Sequence, residues 1–96
     1  MVEATNGFKS FVKAHREKRN WSRSELARRS ELTQAEVSRL EAGKRMPTLR
    51  HVKHIATAFH ANPVKGDPPD FEHWVTRLVE IGDTTRKAAR AYRRSP

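Results

Sequence analysis

The stretch LARRSELTQAEVSRLEAGKRMP, residues 26–47, decides the fold of this chain. Leu26 and Ala27 begin it as the inner face of a short helix. Ser30-Glu31-Leu32 is a charged tip where a tight turn is expected. Thr33-Gln34-Ala35-Glu36 then restarts a helix as a capping box: the threonine oxygen accepts from the third backbone N–H, and the glutamate reaches back. Val37 and Leu40 form the inner face of this second helix, and Gly43 stops it. The spacing of Thr33 and Glu36 already occurs upstream, in Ser22-Arg23-Ser24-Glu25. A capping box is expected there too.

Working outward, Phe8, Phe11, Val12 and His15 recur at helical spacing. They predict a first helix capped by Thr5 or Asn6 and ending near Asn20. After Pro47, Thr48 is the expected cap of a fourth helix with Leu49, Val52, Ile55, Ala56 and Phe59 on its inner face. Asn62-Pro63 ends it. Two further prolines and Gly66 make residues 63–69 a linker. Phe71, Trp74, Val75, Leu78 and Val79 form one more helical stripe, and Gly82-Asp83 is expected to break it. No strand pattern occurs. The prediction is an all-α chain with five helices: a domain over residues 5–62, a linker, a helix over 70–82 and a basic extension over 83–96.

Composition narrows the function. The chain has 96 residues and a formal net charge of +9. Residues 1–69 hold 14 Lys/Arg against 7 Asp/Glu, residues 70–85 one arginine against four carboxylates, and residues 86–96 five cations and no anion. Two basic blocks around an acidic segment point to a polyanionic partner, with a solvated basic surface as the alternative. No apolar run is long enough for a membrane span, and the first residues lack the apolar core of a signal peptide. Cysteine is absent, so thiolate metal sites and disulfides are excluded. His51 and His54 stand one helical turn apart, but nothing completes a metal site around them. No nucleophile, base and orienter come together, and no glycine-rich phosphate loop is present. No cofactor, metal or catalytic residue is expected.

Two short capped helices joined by a tight turn are the geometry of a helix-turn-helix. Neither needs a core of its own, and the second is free to project the polar residues at its start. At this point the chain resembles the lambda-repressor-like (phage repressor and Cro, XRE-type) helix-turn-helix family. The residues that carry the resemblance are Arg16, Ser22, Glu25-Leu26-Ala27, Thr33-Gln34, Val37-Ser38-Arg39-Leu40-Glu41, Gly43-Lys44-Arg45, Pro47 and residues 49–59. The resemblance implies a sequence-specific double-stranded DNA-binding regulator, a repressor working as a homodimer in the cytoplasm of a bacterium or from a phage gene. It places Gln34, Ala35, Ser38 and Arg39 at base-reading positions. Arg23, Thr33, Lys44 and Arg45 fall at phosphate positions, and Arg16 with Glu41 at a structural ion pair.

The residue types suit those roles. A glutamine bonds adenine through two atoms, an alanine methyl packs on a thymine methyl, and an arginine takes guanine or a phosphate. Arg39 paired with Glu36 or Glu41 is the alternative for that residue. Departures from the family are also visible. Glu31 stands in the turn where many members have glycine, Arg23 stands where many have glutamine, and a proline-bearing linker precedes the last helix. Phe71, Trp74, Val75, Leu78 and Val79 are expected either at a dimer or partner interface or folded onto their own domain. The basic tail either touches the DNA backbone or keeps the chain soluble. Two other functions stay open: an antitoxin that also binds a toxin, and a non-specific nucleic-acid-binding protein.

Overall fold

The chain folds as α1 (Val2–Lys18), α2 (Arg23–Ser30), α3 (Gln34–Glu41), α4 (Leu49–His60) and α5 (Phe71–Arg94). The computed structural model describes the backbone of residues 2–94 and the side chains of residues 7–82. Among the described residues there is no strand. The expected tail over 83–96 lies outside the described side chains.

Three helix ends share one device. Asn20, Glu31 and Gly43 follow α1, α2 and α3 in left-handed conformation, with φ of 58°, 58° and 74°. In each case the next N–H returns to a carbonyl near the helix end: Trp21 to Arg16 at 3.2 Å, Leu32 to Ala27 at 3.0 Å, Lys44 to Arg39 at 2.9 Å. This closing pattern satisfies carbonyls that the helix end leaves orphaned. Glycine adopts the conformation freely and asparagine tolerates it, whereas glutamate adopts it only at a cost. A left-handed residue with a side chain costs ~1–2 kcal/mol, against ~0.5–1 kcal/mol of extra chain entropy that a glycine loses on folding. Glu31 is exposed and forms no ion pair among the described residues. Glu31→Gly is therefore expected to raise the melting temperature by ~2–8 °C, from a net gain of ~0.5–1 kcal/mol. A circular-dichroism melt checks this, and an unchanged or lower midpoint would mean that the turn is not strained.

The helix starts differ from the expectation in two places. Thr33 and Glu36 form the full capping box, with both bonds at 3.0 Å. At α2 the box is half-built. Ser22 Oγ accepts from Glu25 N–H at 3.0 Å, but the Glu25 carboxylate turns to Arg28 and Arg29. Cations three and four residues on lie on the same helix face and outcompete the backbone N–H. At the other end of the chain order, α1 begins at Val2 rather than at a Thr5 or Asn6 cap. Glu3 and Ala4 are good helix formers, and no proline stands before them to stop the helix.

One core joins all five helices. Phe8 and Val12 come from α1, Leu26 and Ala27 from α2, Val37 and Leu40 from α3, Val52, Ile55, Ala56 and Phe59 from α4, and Trp74 and Leu78 from α5. An isolated eight-residue helix is not stable in water. Burying a large aliphatic side chain contributes ~1.5–3 kcal/mol, so α2 and α3 exist because α1, α4 and each other cover their few apolar residues. Leu49, expected inside, is 52% exposed: it opens α4 beside the cap, before the helix reaches the core. His51 takes an inner position there and is fully buried.

The last helix corrects the sequence reading most. Gly82-Asp83 does not break it, and α5 continues to Arg94. Gly82 is buried, and a Cβ there would stand 3.2 Å from Pro47 Cγ. Its role is close approach to the loop before α4, not termination. Trp74 and Leu78, expected at an interface or on their own domain, lie wholly in the chain's own core. Phe71 stays 36% exposed, and Val75 and Val79 are half-buried. The linker is tied down beside the end of α1. Arg19 reaches across it to Asp67 Oδ2 at 2.5 Å and to the Asn62 carbonyl at 2.8 Å.

Candidate nucleic-acid interface

The start of α3 is a surface. Thr33, Gln34, Ala35 and Arg39 are exposed and Ser38 is half-buried, while Val37 and Leu40 anchor the opposite side of the helix. Lys44 and Arg45 follow on the exposed loop after Gly43. That loop is held by the Lys44 N–H bond to Arg39. The charges around this face are sorted by pairing. Arg28 and Arg29 are spent on Glu25, and Arg50 on Glu36 at 2.9 Å. Arg39, Lys44 and Arg45 have no ion-pair partner among the described residues. The carboxylates expected for Arg39 are taken, Glu36 by Arg50 and Glu41 by Arg16 and Arg23. Three unneutralised cations beside an amide and a methyl can meet a polyanion with polar edges.

Neighbouring groups hold that face in place. Ser24 Oγ, on the first turn of α2, donates to Gln34 Oε1 at 2.8 Å. In this orientation the amide oxygen is engaged and the NH₂ group keeps its two donors. Glu36 accepts from Thr33 N–H and Arg50. Arg50 first, then the Thr33 N–H, holds its carboxyl down to about 2. The cap of α3 therefore stays ionised at any ordinary pH. Behind it, His51 Nδ1 accepts from Thr48 N–H at 3.0 Å, closing the box at the start of α4. Its ring proton then sits on Nε2, 3.7 Å from Glu36 Oε2. Burial, followed by Arg45, keeps His51 below its ordinary range, so the ring is neutral at pH 7. The caps of α3 and α4 thus abut through Glu36 and His51.

Arg16 and Glu41 tie this unit to α1. Arg16 Nε donates to Glu41 Oε2 at 2.7 Å and Nη2 to Oε1 at 3.0 Å, while Nη1 reaches the Trp21 carbonyl at 2.8 Å. The Glu41 bond raises the Arg16 pKa. Arg23 adds a third member. Its Nε lies 3.4 Å from Glu41 Oε1, with its side chain 54% exposed. Arg23 is thus shared between the pair and solvent, whereas Lys44 and Arg45 face solvent alone.

A helix-turn-helix family model matches residues 12–64, more than half of the chain. The chain belongs to the lambda-repressor-like, XRE-type helix-turn-helix family. No curated protein and no solved structure matches it. The family makes it a DNA-binding transcription regulator of the XRE type. In this XRE-type protein no helix among the described residues is long and apolar enough to cross a membrane. No group of three or more His, Cys, Asp or Glu among them is placed to hold a metal. His51 is occupied by the α4 cap, and His54 Nδ1 lies 2.7 Å from the Ser30 carbonyl.

Four residues that hold the site and the fold around it were not visible in the sequence. Ser24 is the middle of a capping motif and carries no mark of its contact with Gln34. Arg50 and His51 lie on α4, and only the packing of α4 against the α3 cap brings them to Glu36. Arg19, whose side chain is 3% exposed, is likewise silent in the sequence. It stacks on Phe59 at 4.7 Å from the ring centre while pinning Asp67.

Proposed function

We propose that this regulator is a sequence-specific double-stranded DNA-binding repressor, acting as a homodimer on a palindromic site. The observation that supports it best is the exposed first turn of α3, where Gln34 is oriented by Ser24 and flanked by three unneutralised cations. Gln34 reads adenine through its amide, Ala35 packs on a thymine methyl, and Ser38 and Arg39 serve neighbouring base edges. Thr33, at the start of α3, presents backbone to a phosphate, where the helix dipole favours an anion. Lys44 and Arg45 take phosphates of the same strand region. Arg23 takes one at the start of α2, at the expense of its long bond to Glu41. A single helix-turn-helix reads few base pairs, and two-fold pairing on a palindrome is the usual remedy.

Selection of bound duplexes from a random pool tests sequence specificity and half-site spacing together. A pool that emerges without enrichment would overturn the specific reading. Within an enriched site, Gln34→Ala is expected to weaken binding by ~1–3 kcal/mol and to relax preference at one base pair. Random duplex should be bound as before. Equal losses on both duplexes would remove Gln34 from base reading. Lys44→Ala, by contrast, should weaken both alike and lower the salt slope by ~1.

A further inference from the structure

A pocket of about 380 Å³ opens between the end of α1, the linker and the start of α5, lined among others by Phe11, His15, Lys18, Asp67, Pro68 and Arg77. None of its lining residues is among those assigned to DNA, and its volume is within the ~300–1,000 Å³ range of small-molecule sites. Its chemistry is two-sided. Phe11 and Pro68 offer half-buried apolar surface, and the Arg77 guanidinium sits 5.8 Å from the Phe11 ring centre. The charged groups are not balanced. Asp67 is the carboxylate of this lining, and it is already committed to Arg19 at 2.5 Å and to the Val64 N–H at 2.9 Å. Lys18 and Arg77 are exposed and have no ion-pair partner among the described residues.

The floor is polar as well. His15 and Asp67 have side chains only 10% and 7% exposed, with His15 Nδ1 and Asp67 Oδ1 3.7 Å apart. Neither atom has a hydrogen-bond partner among the described residues. Burial, then Lys18, Arg19 and Arg77, hold His15 down to about 4 against the pull of Asp67. The ring is neutral at pH 7, and the field at its position is net positive. A cleft of one sign with low-dielectric walls concentrates ions of the other sign.

We infer that this pocket binds a small organic anion: a flat apolar body seated against Phe11 and Pro68, its carboxylate held between Lys18 and Arg77. His73, at the pocket edge, is engaged by Asp70 at 2.8 Å and shapes the rim rather than taking the carboxylate. The site is independent of the DNA-reading assignment and stands whether or not that assignment holds.

The test is a titration of the ¹⁵N-labelled full chain with benzoate, with benzylamine and inorganic phosphate as comparison probes. Benzoate is expected to give saturable amide shifts centred on residues 11, 18, 66, 67, 73 and 77. Phosphate, lacking the apolar body, should bind at least ~5-fold more weakly, and benzylamine should not saturate. Lys18→Glu and Arg77→Glu should each weaken benzoate at least ~5-fold. Both side chains are exposed, so the melting midpoint should hold. Should either variant melt early, Lys18→Gln and Arg77→Gln replace them with the same expectation. Benzoate and benzylamine binding alike, phosphate matching benzoate, shifts centred on residues 33–45, or charge-reversed variants that bind as the parent does would each overturn the inference.

Discussion

Trp74→Ala lowers the stability of the fold by ~3–5 kcal/mol and leaves the mass of the particle in solution unchanged. Trp74 is wholly buried. Its ring meets His15 edge-on at 4.9 Å, Phe59 at 5.2 Å and Phe11 at 6.3 Å, and the Arg19 guanidinium stands 5.7 Å away. One side chain therefore joins α1, α4, α5 and the pinned linker. Truncation leaves a cavity that these elements cannot close without giving up other contacts. For a chain of this size each kcal/mol moves the midpoint by ~4–8 °C, so a fall of at least ~12 °C is expected. Trp74→Phe should cost less, since it fills most of the volume and removes a buried Nε1 that lacks a partner among the described residues. Melting curves beside sedimentation velocity decide the matter. A variant that melts as the parent does but sediments at half its mass would return Trp74 to a seam between chains.

That residue also shows where the sequence stops being informative. The spacing of Phe71, Trp74, Val75, Leu78 and Val79 says that a helix has an apolar face. It does not say what covers the face, because a second copy and the chain's own core present the same periodicity. What is local was legible. The caps at Thr33 and Thr48 and the stops at Asn20 and Gly43 all depend on a few neighbouring residues. What is competitive or distant was not. Glu25 had the right spacing for a box, yet two arginines on its own helix took it. Leu49 has the right residue type for a core, but a first-turn position outside it. Gly82 reads as a breaker in isolation and becomes a packing residue once Pro47 lies against it. The surface of α3 divides the same way. Gln34 and Arg39 stand out by type and position, whereas Ser24, which orients Gln34, and Arg50, which frees Arg39 by occupying Glu36, come from other helices.

The Arg16–Glu41 pair carries the second large effect. Glu41→Ala is expected to destabilise the protein by ~3–5 kcal/mol, because a buried guanidinium is left without its carboxylate. The pair is bidentate, and the side chains are 9% and 2% exposed. Arg23 cannot take over, being a cation itself, and its approach to the site then adds repulsion. Arg16 also holds the Trp21 carbonyl, so its displacement loosens the turn between α1 and α2 as well as the end of α3. The single change should lower the melting midpoint by at least ~12 °C. Double replacement separates an uncompensated charge from a lost contact. With Arg16→Met and Glu41→Leu together, no ion remains to be desolvated, and much of the loss should be recovered. Melts of the parent, both single variants and the double variant form the cycle. Losses that simply add would show that the two side chains contribute packing alone, and that no buried charge is at stake where α1 meets α3.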